Sequence, residues 1–67
     1  MKVTKICSNP IVYRFNEGNR EIEGSLHYND RGTRIIATTL STVDNDNFAN
    51  AARKFIRDLA DKINLRK

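Results

Sequence analysis

The sequence predicts an α+β domain: a three-stranded antiparallel β-meander followed by one C-terminal amphipathic helix packed on one sheet face (βββα). Two observations carry this prediction. Apolar and polar residues alternate in two runs on either side of Gly18-Asn19, which is the period of a half-buried strand. Further on, Phe48, Ala52, Phe55, Leu59 and Ile63 recur at steps of four, three, four and four, which gives a helix one apolar face.

The first hairpin is specified at several levels. Ile11, Tyr13 and Phe15 alternate with Val12, Arg14 and Asn16, and Ile22, Gly24, Leu26 and Tyr28 alternate with Glu21, Glu23, Ser25 and His27. Gly18-Asn19 suits a two-residue turn, because glycine takes positive φ freely and asparagine tolerates it. That turn sets Glu17 opposite Arg20, Phe15 opposite Ile22, Tyr13 opposite Gly24 and Ile11 opposite Leu26. It also sets Arg14 opposite Glu23 on the other face, so turn chemistry, apolar pairing and charge pairing agree. Gly24 leaves space for the Tyr13 ring to lie across the strand.

The remaining strands are predicted from weaker signals. Val3, Ile6 and Cys7 keep no clean alternation, and Pro10 lacks an amide donor, so residues 2–16 read as one strand bent near Pro10, with its first part at an edge. The second strand runs over 21–29. Asp30 and Arg31 fit the centre of a type I turn and Gly32 the left-handed position after it, so that Asn29 opposes Thr33. Continuing that count over a third strand at 33–42, Ile36 and Leu40 join the core, while Ile35, Ala37 and Thr39 point away from the helix.

The helix is predicted over 45–64, with Ala51, Ile56 and Ala60 widening its apolar stripe. Asp44 is the expected N-cap, with Val43 and Phe48 as a hydrophobic staple. Asp46 at the start and Lys62, Arg66 and Lys67 at the end suit the helix dipole. Asp58 and Lys62 are spaced for an i,i+4 ion pair.

Bulk properties bound the function. Sixty-seven residues make a single domain, 1–67, of a size typical of phage and mobile-element accessory proteins. A chain this short buries only about 60% of its unfolded surface, leaving little room for a deep pocket. Hydrophobic residues are 39% and charged residues 30%, with a net charge of +4, the composition of a folded, mildly basic protein. The single Cys7 and single His27 supply neither a disulfide nor a zinc site, and Cys7 reads as a small half-buried hydrophobe. No membrane span or signal peptide is visible, so the cytoplasm is the expected compartment. There are no paired carboxylates on one element, no glycine-rich phosphate loop and no metal-ligand spacing, so neither an enzyme nor a cofactor nor a small-molecule ligand is expected.

A non-catalytic interaction or regulatory domain is therefore the expectation. The third strand is β-prone and lacks the charges that usually blunt an edge. On the face away from the helix, Val12, Ile35, Ala37 and Thr39 are expected to form a partner-binding strip beside that edge, with a homodimer or another protein as partner. The alternative is a nucleic-acid-binding domain that places Arg53, Lys54 and Arg57, with Arg14 and Arg34, on phosphates.

Two resemblances add to this. The run Gly24-Ser25-Leu26-His27-Tyr28 resembles the Gly-Ser-x-His strand of HicA-type messenger-RNA interferases, small basic domains of double-stranded-RNA-binding-like fold. That resemblance implies a catalytic role for His27. It covers about one strand and one turn, and the family begins with a helix where residues before Pro10 do not read as one. The meander-plus-helix outline also looks like the arm-type DNA-binding domain of tyrosine integrases, which lays its sheet on DNA. Here the outer sheet face mixes Arg14 and His27 with Glu21 and Glu23.

Overall fold

The computed structural model describes residues 1–65. Four strands, β1 (Lys2–Ser8), β2 (Ile11–Glu17), β3 (Arg20–Tyr28) and β4 (Ile35–Leu40), precede one helix, α1 (Asn47–Leu65). The strands form an antiparallel meander in the order β1-β2-β3-β4, and α1 packs on β3 and β4. The α+β class and the C-terminal helix are as predicted, but the sheet has four strands where the sequence suggested three. The bent strand over 2–16 is in fact a hairpin that reverses at Asn9-Pro10. Its broken alternation has a simple cause: the β1–β2 register shifts between Lys5 and Cys7, leaving Ile6 as an extra residue. Such a bulge puts residues on either side of it out of phase.

The β2–β3 register is the predicted one throughout, from Glu17 opposite Arg20 to Ile11 opposite Leu26. Gly18 adopts φ of 59°, the left-handed conformation that glycine adopts without a Cβ clash. Phe15, Ile22 and Leu26 are fully buried beneath the helix. The Phe55 ring packs edge-on against both Tyr13 and Phe15, with centroids 5.3 and 5.4 Å apart.

The β3–β4 register departs from prediction twice, by one residue each time. The type I turn forms as expected, with Gly32 N–H donating to the Asn29 carbonyl at 2.9 Å and Gly32 at φ 67°. The loop, however, holds one more residue. Asn29 N–H donates to the Arg34 carbonyl at 2.9 Å, while the Asn29 side chain accepts from Thr33 N–H and donates to Thr33 Oγ1. This Asx closure takes Thr33 into the loop and brings Ile35 opposite Tyr28. A bulge then follows, since His27 pairs with Ala37 and Ile36 is left over. The first extra residue inverts the expected parity and the second restores it. Hence Ile35 lies in the core at 5% exposure and Ile36 is 65% exposed, the reverse of prediction, whereas Ala37 and Thr39 point away from the helix and Leu40 toward it, as predicted.

The helix is shifted and rotated relative to prediction. Its N-cap is Asp46, whose carboxylate accepts from Ala49 N–H at 3.4 Å and whose carbonyl accepts from Asn50 N–H. Asp44 instead pairs with Arg20, and Val43 is 93% exposed, so the staple to Phe48 does not form. The stripe facing the sheet is Phe48, Ala49, Ala52, Ile56 and Ala60. Phe55, Leu59 and Ile63 flank it half-buried, and Ala51 is exposed. The pair on the exposed face is Lys54–Asp58 at 2.8 Å rather than Asp58–Lys62. Arg66 and Lys67 lie outside the described residues.

Gly24 explains why this stripe faces inward. A Cβ on Gly24 would stand 2.7 Å from Ile56 Cγ1 and 3.2 Å from Leu40 Cδ1. The space opposite Tyr13 is thus filled by Ile56 and not by the tyrosine ring. Arg20 anchors the other end: it pairs with Asp44 and Asp46 and lies over the Phe48 ring. No helix among the described residues is long and apolar enough to cross a membrane.

Two outcomes follow. Gly24→Ala should destabilise the domain by about 1–3 kcal/mol, the usual cost of overpacking, in urea unfolding. Asp46→Ala should cost about 1 kcal/mol, as cap removal does, and more than Asp44→Ala. Equal losses would place the cap elsewhere.

Candidate functional site

The four residues expected to form a partner strip do not come together. Ile35 is in the core. On the face away from the helix, Val12 sits across from Ser25, which sits across from Thr39, and Ala37 sits across from His27. Val12 and Ala37 are therefore separated by polar neighbours. The charges on this face pair within it, although the buried Arg14 Nε makes no hydrogen bond. Arg14 lies 3.5 and 3.1 Å from Glu21 and Glu23, and Asn16 donates to Glu21. The apolar strip was an artefact of the parity that Thr33 and Ile36 alter. Cys7 is exposed, not half-buried.

His27 shares this face. Its Nε2 is 3.3 Å from Thr39 Oγ1, and no carboxylate among the described residues orients the ring. The interferase resemblance implied an initial helix, and the structure has the strand β1 in that place.

The basic residues are also dispersed. Arg14 is held by two carboxylates, and Lys54 by Asp58. Arg53 donates to Asn50 Oδ1 and to the Asp44 carbonyl. Arg34 ends the β3–β4 loop. Arg57 has no ion-pair or hydrogen-bond partner among the described residues. These five do not make one continuous track for a phosphate backbone.

The two sheet edges differ in kind. The β1 edge is exposed on both faces but carries Lys2, Lys5 and the bulge at Ile6, three devices that discourage pairing. The β4 edge has its own bulge at Ile36, but from Ala37 to Leu40 it runs regularly, without a charge or a proline. Ser41 N–H donates to the Glu23 carbonyl at 2.8 Å. Antiparallel alternation then turns the Thr39 and Ala37 amides toward β3, and the N–H and C=O of Thr38 and Leu40 away from it.

The upstream end of this edge is already occupied. Asn64 Oδ1 accepts from Ile35 N–H at 2.7 Å, and Asn64 Nδ2 donates to the Ile35 carbonyl at 3.0 Å. One carboxamide thus stands in for the peptide group of a neighbouring strand. Beyond it the edge opens into a recess of about 170 Å³ between β4 and α1, with Thr38, Leu40 and Ile56 as its floor and Arg53 and Arg57 as its helical wall. Thr38 is on the helix side of the sheet, opposite Leu26, and yet exposed. Sequence reasoning found the β4 edge and put Ile56 on the apolar stripe of the helix, but missed Asn64 and the recess, which depend on how the helix is placed.

Compared with protein-family models, curated proteins and solved structures, the chain gives no significant match to any.

Asn64→Ala should release the Ile35 amide to solvent. Its hydrogen exchange should accelerate severalfold, up to about tenfold, as expected when a bond worth about 1–1.5 kcal/mol is lost, while the Thr39 amide stays protected by β3. Unchanged exchange at Ile35 would mean that the carboxamide is not what shields it.

Proposed function

We propose that this chain is a non-catalytic protein-interaction domain that accepts an extended protein segment as a fifth strand along β4. One observation carries the proposal: the outward N–H and C=O groups of Thr38 and Leu40 lie in residues that line an open recess, while Asn64 fills the edge upstream at Ile35 and the opposite edge at β1 is blunted. Main-chain pairing at such an edge supplies affinity, and pockets for alternate side chains supply selectivity. The Asn64 carboxamide fixes where an incoming strand must stop. The outer face, whose charges pair among themselves, plays no part in this function.

Thr38→Pro tests the proposal. Proline removes an amide that points away from β3, so the β3–β4 ladder keeps its bonds, and an unchanged thermal transition verifies that. A random-peptide display library selected on the wild-type domain should yield extended sequences that no longer bind Thr38→Pro. Binders indifferent to this substitution, or none at all, would count against the edge as the working surface.

A further inference from the structure

We infer that the segment docked on β4 is acidic, with carboxylates at alternate positions that engage Arg57 and Arg53, and that it belongs to another protein rather than to a second copy of this chain. This rests on the edge reading above and adds the chemistry of the partner.

The recess is lined by Thr38, Thr39, Leu40 and Ile56 together with two arginines, Arg53 and Arg57, and no carboxylate lines it. Arg57 has no partner among the described residues. Arg53 is fixed in place by an amide oxygen and a carbonyl, at 2.6 and 3.0 Å, neither of which cancels its charge. Asp58, which lines the adjoining cleft with both arginines, is paired with Lys54, so two arginines without an ion pair among the described residues stand beside the outward backbone groups and suit an anionic strand.

The spacings match. Asn64 touches Ile35, and Ile56 lies against Gly24 and Leu40, so α1 runs antiparallel to β4 and places Arg57 and Arg53 one helical step of four residues apart alongside Thr38 and Leu40. Four helical residues rise about 6 Å. Two residues of an added strand advance about 6.7 Å. Side chains at positions p and p+2 of that strand both point to the helix side, so carboxylates there meet successive arginines, while the intervening side chains lie over the opposite face.

A second copy is the poorer occupant. Pairing β4 with β4 about a two-fold axis puts both helices on the same side of the joined sheet. Arg53 and Arg57 of each copy then flank one seam, with like charges opposed.

The probes are capped, dye-labelled peptides of about seven residues that alternate Glu and Val, Gln and Val, or Lys and Val. Anisotropy is read at about 0.05 and 0.5 M salt. The Glu peptide should bind roughly tenfold or more tightly than the Gln peptide, lose that advantage at high salt, and lose binding to Thr38→Pro. The Lys peptide should not bind wild type. Arg57→Glu, a change on an exposed helix position that leaves the strand intact, should shift the preference toward the Lys peptide. Sedimentation of the free domain at micromolar concentration should show a monomer. Equal binding of the Glu and Gln peptides, both lost in Thr38→Pro, would overturn the acidic partner and leave the edge function standing. Glu-peptide binding that survives Thr38→Pro would overturn both. A dimer that Thr38→Pro dissociates would overturn the foreign partner in favour of a second copy.

Discussion

The close contact between Ile56 and the bare backbone at Gly24 governs the rest of the molecule. A helix can approach a sheet this closely only where a strand lacks a side chain, and here that point lies in β3 beside β4 rather than at the centre of the sheet. The helix is therefore offset. It covers β3 and β4 and leaves β1 exposed on both faces. The same offset brings Arg53 and Arg57 alongside β4, and the end of the helix to Ile35.

Each end of the helix is then secured by different chemistry. At the start, Arg20 joins the β2–β3 turn to Asp44 and Asp46 while its guanidinium lies on the Phe48 ring. These groups are partly exposed, so each ion pair alone contributes little, in the range typical of surface pairs, but together they fix the path of the connection into the helix. At the end, Asn64 makes a paired hydrogen bond to one residue of backbone, which gives direction as well as attachment. Between the two anchors, aromatic contacts from Phe55 to Tyr13 and Phe15 carry the packing over to β2.

Local patterning made the class, the β2–β3 hairpin and the existence of the helix legible, because Gly18-Asn19 and the apolar periods specify them without help from distant residues. What escaped prediction depended on tertiary context. The hairpin of β1 and β2 was hidden by the bulge at Ile6, which scrambled the alternation. The N-cap is Asp46 rather than Asp44 because the helix begins only at Asn47, after a connection whose path is fixed by Arg20, remote in sequence, holding both carboxylates. The expected adhesive strip failed because Ile35 and Ile36 are equally apolar, and only the loop closure by Asn29 decides between them. The β4 edge survived as a candidate since its lack of charge is visible in sequence, whereas the wall of its recess depends on the rotation of the helix.

The extra residues at Thr33 and Ile36 are not counted in the β3–β4 ladder. Deleting either would therefore leave the partners and faces of the others unchanged. Straightening the bulge while keeping Ile36 would instead set Ile36 opposite His27 and turn Ala37 and Thr39 beneath the helix. Chain length in this region is thus free to vary at these two positions, whereas the irregularity at Ile36 is what holds the faces of the edge strand in place.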